Sequence, residues 1–268
     1  MTSIKLIAID LDGTLLVDSR DVSPENVAAV RAATARGVIV AIATGRPHFG
    51  AAHLVEPLGL GDVPIISYNG AVIRRPSEPT PMAQWPLAAD VAQDIVRYCI
   101  EHRLHTHYYF DDAMYVTRFS HWAQLYKTRT GLVGVPAGDM RRFDGQSPTK
   151  ILVCSAPEEL PAVLADAQKA FEGRAYVTRS MPEYVEFLSP QASKGNALRW
   201  LADHFNIPMA ETMGIGDMLN DLPLVAESGF GVAMVHAQDE VKAAAQFVTT
   251  QADTGVAEAI NRFVLDNA

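Results

Sequence analysis

Four times in this chain a polar cluster stands where an apolar run stops, and that placement constrains the fold more than any bulk property. Ile4 to Ile9 runs into Asp10-Leu11-Asp12-Gly13-Thr14, and Val38 to Ala43 into Thr44-Gly45-Arg46. Val63 to Ser67 runs into Tyr68-Asn69-Gly70-Ala71, and Thr212 to Ile215 into Gly216-Asp217, with Asn220-Asp221 close behind. Short apolar runs of this kind read as strands buried on both faces, the mark of a parallel sheet covered by helices. Ser23-Pro24-Glu25 supplies an N-cap, a first-turn proline and a first-turn acid for a helix that carries Val27, Val30 and Ala33 and closes at Gly37. Ser193 can cap another helix running to His204, and Val256 to Leu265 reads as a last one. The strand and helix rhythm predicts an α/β fold with a doubly wound parallel-sheet core.

The middle of the chain keeps a different rhythm. Pro76, Pro79, Pro81 and Pro86 mark a linker, after which Leu87 to Arg103 reads as an amphipathic helix. Strands are expected at His105 to Phe110, Ala113 to Val116, Lys150 to Cys154, Arg174 to Thr178 and Tyr184 to Leu188, with helices at Ser120 to Arg129 and Pro157 to Phe171. Strand pairs with helices between them suggest a small α+β domain over 81–188, inserted into a core made of 1–80 and 189–268.

At 268 residues and 49% apolar content the chain can build a sizeable core. Its net charge is 22 minus 31, or -9, with no basic block beyond pairs such as Arg141-Arg142, which argues against a nucleic-acid partner. No stretch approaches the roughly 18 apolar residues of a membrane span. The run before Asp10 is too short for a signal-peptide core, so a cytoplasmic protein is expected. Cys99 and Cys154 form neither a disulfide framework nor a metal-ligand pattern, and two buried reduced thiols are expected.

In an open parallel sheet ligands collect outside the carboxyl ends of the strands, where loop amides and helix N-termini converge. Asp10 and Asp12 can face one cavity if the chain leaves extended geometry at once, and Gly13 permits that turn. Two close carboxylates raise each other's pKa unless a cation such as Mg²⁺ neutralises them. Asp10 could then attack phosphorus while Asp12 gives a proton to the leaving oxygen and later takes one from water. The Thr44 hydroxyl and the amides of Gly45 and Arg46 suit a phosphate oxygen, Lys194 suits its charge, and Asp217 with Asp221 suits a metal.

In this joint pattern the chain resembles the haloacid dehalogenase-like hydrolases, specifically Cof-type phosphatases with a large inserted cap. Asp10-Leu11-Asp12-Gly13-Thr14 is similar to the family's first motif, Thr44-Gly45-Arg46 to its second, Lys194-Gly195 to its third and Gly216 to Asp221 to its fourth, with Asn69-Gly70-Ala71 a further signature. The resemblance implies that Asp10 is nucleophile and metal ligand, and that Asp12 is the acid/base and binds metal through its carbonyl. It implies that Thr44, Gly45, Lys194 and Asn220 hold phosphate, that Asp217 binds Mg²⁺, and that Asp221, Arg46 and Asn69 support them. The substrate would be a small phosphomonoester, such as a sugar phosphate, a phosphorylated cofactor or a nucleotide-like metabolite. Where the family often has Gly-Asn after Gly-Val-Ala-Met, this chain has Val235-His236.

Arg179, Tyr184 and Glu186 fall near the end of the insert, where a cap could touch substrate. His102, His105 and His107 suggest a metal site, but a His-x-His strand with no third acid beside it favours packing, as does the run Tyr108-Tyr109-Phe110. Two alternatives stay open: a phosphomutase using the same nucleophile, and a catalytically silent binding protein on the same fold. A dehalogenase is disfavoured, since that chemistry needs no acid at Asp12. The sequence does not specify an oligomeric state.

Overall fold

The computed structural model describes residues 3–16, 22–48, 50, 51, 58, 59 and 61–266. Strand β1 (Leu6–Asp10) is buried along its whole length, as an unbroken apolar run requires. Helix α1 (Pro24–Ala35) starts where the Ser23 side chain accepts a hydrogen bond from the Asn26 amide, with Pro24 in its first turn. Strands β2 (Ile39–Ala43) and β3 (Ile65–Ser67) follow. The rhythm calls for a helix between them, in a stretch that lies in part outside the described residues. The chain then turns back through β4 (Val72–Arg74), antiparallel to β3, and β5 (Ala83–Gln84). Strand β5 lies past Pro76, so the core sheet reaches into the stretch where a linker was expected.

Contacts divide the chain into two units, Met1–Ala83 with Ser193–Ala268, and Gln84–Ala192. The first crossing comes a few residues later than 80 because β5 still pairs at the edge of the core sheet.

The inserted unit contains helix α2 (Ala89–Glu101), strands β6 (His105–Phe110) and β7 (Ala113–Val116), helix α3 (His121–Thr130) and strand β8 (Val135–Pro136). Strand β9 (Lys150–Cys154), helix α4 (Leu160–Ala170) and strands β10 (Tyr176–Met181) and β11 (Tyr184–Leu188) complete it. Its sheet order is β10-β11-β9-β6-β7-β8, antiparallel except for the β7/β8 pair. One face, with Tyr108, Ile151, Val153, Val185 and Phe187, packs on the apolar sides of α2 and α4. Helix α4 begins three residues later than expected, because Pro161 rather than Pro157 occupies the first turn. Strand β10 runs on to Met181 through an irregularity after Arg179, past the expected end at Thr178.

The chain returns through α5 (Lys194–His204), β12 (Thr212–Gly216), α6 (Leu222–Glu227), β13 (Phe230–Ala233), α7 (Asp239–Ala244), β14 (Phe247–Val248) and α8 (Gly255–Ile260), with a π-turn over Asn261–Leu265. Among the described residues the core sheet has the order β14-β13-β12-β1-β2-β3-β4-β5, parallel from β14 to β3. Strand β1 lies between β12 and β2, and the chain runs from β1 toward β2 on one side and from β12 toward β13 on the other, so the connections leave these neighbouring carboxyl ends in opposite directions. Such a switch point opens a crevice in a doubly wound sheet. No helix among the described residues is long and apolar enough to cross a membrane.

Candidate active site

Asp10 is the last residue of β1, so its side chain emerges at the switch point, 3% exposed. Past it the chain closes a tight turn in which the Leu15 and Leu16 amides donate back to the Leu11 carbonyl. Gly13 makes the turn possible. Its φ is +94°, and a Cβ there would lie 2.5 Å from Asp217 Oδ2. Thr14 then donates from Oγ1 to Asp217 Oδ1 at 3.1 Å, locking the first loop to the loop after β12.

Lys194, the first residue of α5, is placed by the N-cap at Ser193, whose hydroxyl accepts from the Asn196 amide at 3.0 Å. Its ammonium is fully buried and bonds Asp10 Oδ1 and Asp221 Oδ1, each at 2.5 Å. Asp221 is held in turn, because its Oδ2 accepts from the backbone amides of Asp217 and Met218, each at 3.1 Å. Burial works against the Lys194 charge, but Asp10 and Asp221 outweigh it and raise its pKa. Burial first, and the Asp221 charge next, push the Asp10 carboxyl well above the usual range. The same causes in the same order push Asp217 up to about 7, opposed by the Thr14 bond and by Lys194. Both directions have one root: three carboxylates face one ammonium, an excess of negative charge in a desolvated place.

That excess bears on a metal. Among the described residues, Asp10, Asp217 and Asp221 form the group of acids whose ligand atoms lie within 4.8 Å of one another. Asp10 Oδ2 and Asn220 Oδ1 are both buried and accept no hydrogen bond among the described residues. Oxygen donors, surplus negative charge and two unspent buried acceptors suit Mg²⁺. The sequence expectation for the metal drew on Asp10, Asp12 and Asp217. The structure brings Asp221 into the same carboxylate group and turns the Asp12 side chain elsewhere.

Asp12 makes a two-pronged ion pair with Arg46, from Nε to Oδ2 at 2.7 Å and from Nη2 to Oδ1 at 2.6 Å. Arg46 sits just past β2, and its amide donates to the Thr44 hydroxyl at 3.1 Å. Thr44 is buried, with its amide on the Ile66 carbonyl and its carbonyl accepting from the Asn69 amide. Asn69 Oδ1 accepts from Asn220 Nδ2 at 3.0 Å, so the second, third and fourth clusters meet. Three contacts went unread in the sequence: the Arg46–Asp12 pair, the Thr14–Asp217 bond, and a 2.6 Å bond from His236 Nε2 to the Gly13 carbonyl. Thr14 stood within the first motif. Nothing local tied Arg46 to Asp12 or His236 to Gly13.

The weaker candidates lie in the inserted unit. Glu186 is buried against Lys150, at 2.8 Å, and also accepts from the Ser180 hydroxyl. Tyr184 is buried beside Tyr126, with the Arg129 guanidinium 5.5 Å from its ring centre. Arg179 is half-buried on β10, paired across to Val185. His102 lies against the Tyr98 ring, and His105 faces the hydroxyls of Thr117 and Ser120. His107 is fully buried beside Tyr126. These histidines join no metal-holding group among the described residues. Tyr108 stacks on Phe143, a packing contact. Cys99 and Cys154 are buried and free, and burial pushes the Cys99 thiol up to about 12 and Cys154 well above its usual value.

Known proteins align along nearly the whole chain. YxeH of Bacillus subtilis (strain 168) is 36% identical over 270 residues, covering 97% of this chain and 98% of its own. The 5-amino-6-(5-phospho-D-ribitylamino)uracil phosphatase YcsE of the same organism is 31% identical, covering 98% of this chain and 96% of its own. A solved haloacid dehalogenase-like hydrolase from B. subtilis superposes with a TM-score of 0.86 at 29% identity, covering 97% of this chain and 100% of that one. The sequence profile of the haloacid dehalogenase-like hydrolases matches residues 7–260. With a parallel-sheet core, an inserted cap and relatives named as phosphatases, the chain belongs to the haloacid dehalogenase-like hydrolase family, as a phosphoric monoester hydrolase.

Proposed function

We propose that the protein is a Mg²⁺-dependent phosphatase of small phosphomonoesters that carries the phosphoryl group on Asp10. The observation that carries this reading is the environment of Asp10: one carboxylate oxygen is on Lys194, the other is buried and unspent, and two further acids lie beside it. A carboxylate so held can act as a nucleophile without first losing a partner. Bound by Asp10, Asp217 and the Asp12 carbonyl, Mg²⁺ would neutralise the excess carboxylate charge and that of the phosphoryl oxygens.

An Asp10 oxygen attacks phosphorus as the bond to the ester oxygen breaks, and Asp12 gives that oxygen a proton, so an alcohol leaves. Water then attacks the phosphorus of the aspartyl-phosphate while Asp12 takes its proton, and cleavage of the bond to Asp10 returns the carboxylate with inorganic phosphate. Arg46 bonds both Asp12 oxygens and fixes the orientation of the carboxylate, and the second lone pair on each oxygen stays available for the proton. Thr44, the Gly45 amide and Lys194 hold phosphoryl oxygens in this scheme, and Asp221 keeps Lys194 charged and in place. YcsE acts on a phosphorylated polyol chain joined to a heterocycle, which supports sugar phosphates and nucleotide-like or cofactor phosphates as the substrate class.

The test is phosphate release from a panel of phosphomonoesters with and without Mg²⁺, by the native chain and by Asp10→Asn. Turnover that needs Mg²⁺ and disappears in the variant is expected. Interconversion of sugar phosphates without phosphate release would instead identify a phosphomutase, and no reaction with any ester would sink the enzymatic reading.

A further inference from the structure

Asp12 follows Asp10 by two residues, but packing does not fix its carboxylate, since its side chain is 37% exposed. Among the described residues Arg46 alone bonds that carboxylate, with Nε donating to Oδ2 at 2.7 Å and Nη2 to Oδ1 at 2.6 Å. A fork of this kind sets the plane and the direction of a carboxylate, which a single bond to one oxygen does not. It uses one lone pair on each oxygen, so the carboxylate is aimed without being spent.

The arm that aims it is itself anchored. The Arg46 amide donates to Thr44 Oγ1 at 3.1 Å, and the Arg46 carbonyl accepts from the Tyr68 amide at 3.0 Å. Tyr68 is buried with φ at +51°, a left-handed backbone that a bulky residue adopts only where its surroundings demand it. The Thr44 carbonyl accepts in turn from the Asn69 amide at 2.9 Å. The loop is thus clamped on both sides of Gly45. The residues proposed to hold phosphoryl oxygens, Thr44 and Gly45, share this loop with the guanidinium that turns Asp12.

We propose that Arg46 is a positioning residue that aims the Asp12 carboxylate from the anchored loop, and that its contribution is confined to the steps in which Asp12 moves a proton. The inference rests on the acid/base reading of Asp12 above. Two such steps exist. In the first, the Asp12 proton goes to the ester oxygen as its bond to phosphorus breaks. In the second, a water proton goes to Asp12 as that water attacks the aspartyl-phosphate. An aryl ester such as p-nitrophenyl phosphate escapes the first demand, because its oxygen leaves as a stable phenolate, whereas an alkyl ester needs the proton. Both esters meet the second, because both form the same aspartyl-phosphate. A residue that served only to hold phosphate or the fold would act on both esters alike.

The experiment compares p-nitrophenyl phosphate with a set of alkyl phosphates, in Mg²⁺, on the native chain, Arg46→Met, Arg46→Lys, Asp12→Asn and the double variant Asp12→Asn/Arg46→Met. Here kcat/KM covers events up to departure of the alcohol, and kcat also covers hydrolysis of the aspartyl-phosphate. Arg46→Met keeps the stem and loses the donors. It is expected to lower kcat/KM about 10- to 100-fold for alkyl esters and no more than about threefold for the aryl ester. With the aryl ester its kcat should fall by more than its kcat/KM, and a burst of about one p-nitrophenol per active site should precede turnover as the aspartyl-phosphate accumulates. Arg46→Lys offers one ammonium for two oxygens and is expected to recover little of the alkyl-ester loss. Once Asp12→Asn has removed the acid, adding Arg46→Met should change the ratio between the two esters by no more than about twofold. An equal loss on both esters in Arg46→Met would overturn the proposal. So would an alkyl-ester loss as large with Asp12→Asn present as without it, which would show a role not routed through Asp12. An Asp12→Asn chain that itself loses both esters alike would instead overturn the acid/base reading on which the proposal stands.

Discussion

Beyond β13, His236 is exposed, yet its Nε2 lies 2.6 Å from the Gly13 carbonyl, between Asp12 and Thr14. A carbonyl only accepts, so the ring must donate from Nε2. A hydrogen bond of this kind contributes about 1 kcal/mol, or about fivefold in an equilibrium. It holds the loop that carries the proposed acid/base. His236→Ala is therefore expected to lower kcat/KM about fivefold across a phosphoester panel, and His236→Asn, which keeps a donor, to lie between. An unchanged kcat/KM in His236→Ala would show that the loop keeps its place without this bond. At this scale the sequence conveyed residue types and strand ends, and little of the contacts. Asp10, Lys194, Asp217 and Asp221 could be nominated because each sits at the end of an element, where the sheet's geometry gathers them. The Arg46–Asp12 pair joins residues 34 apart through loop conformations that no local pattern encodes.

Elements were legible where burial was uniform and obscure where they were short. Strands β1, β2 and β9 have every or nearly every residue buried, and their apolar runs mark them in the sequence. Strands β5 and β8 have two residues each, too few for any period, and Pro-rich surroundings hid β5. Strand β11 alternates cleanly: Val185 and Phe187 face α2 and α4, which leaves Glu186 on the opposite face with Lys150 of β9. That ion pair is 1% and 2% exposed, and the Lys150 ammonium also lies 4.9 Å from the centre of the Tyr109 ring. Removing one member of a buried pair strands the other charge, at a cost of about 3–5 kcal/mol, whereas replacing both with apolar groups is often neutral. Glu186→Gln should thus lower the cap's stability by about that much in urea unfolding, and Lys150→Met/Glu186→Leu should restore most of it. If the double variant retained full stability but changed the ranking of substrates, the pair would belong to substrate recognition, as the position of Glu186 near the end of the insert suggested. A Glu186→Gln variant as stable as the native chain would remove the structural role.

The two units carry buried titratable groups of opposite kind, so acid should act on them in opposite directions. In the cap, burial first, then the neighbouring charges of Arg118 and His121, lower His105 to about 4; burial, then His105 and Lys150, lower His107 to about 3. In the unfolded chain both titrate near about 6.5. Between these values the unfolded cap binds protons that the folded cap refuses, so cap stability is intact above about pH 6.5 and falls as the pH drops toward 4. Each histidine contributes on the order of 1 kcal/mol per pH unit across that window. In the core, Asp217 at about 7 binds its proton more readily folded than unfolded, so mild acid favours the folded core over the same range. A signal that averages both units would hide the effect, and the tryptophans offer a way to separate them. Trp85 and Trp122 lie in the cap and Trp200 in the core, so a Trp200→Phe chain reports the cap alone by fluorescence. Its urea midpoint is expected to fall steadily from pH 6.5 to pH 4, and adding His107→Phe should reduce that slope by about half. A midpoint independent of pH over this range would mean that both histidines take up protons in the folded cap, which would require water to reach the buried face they share with Tyr126 and Cys154.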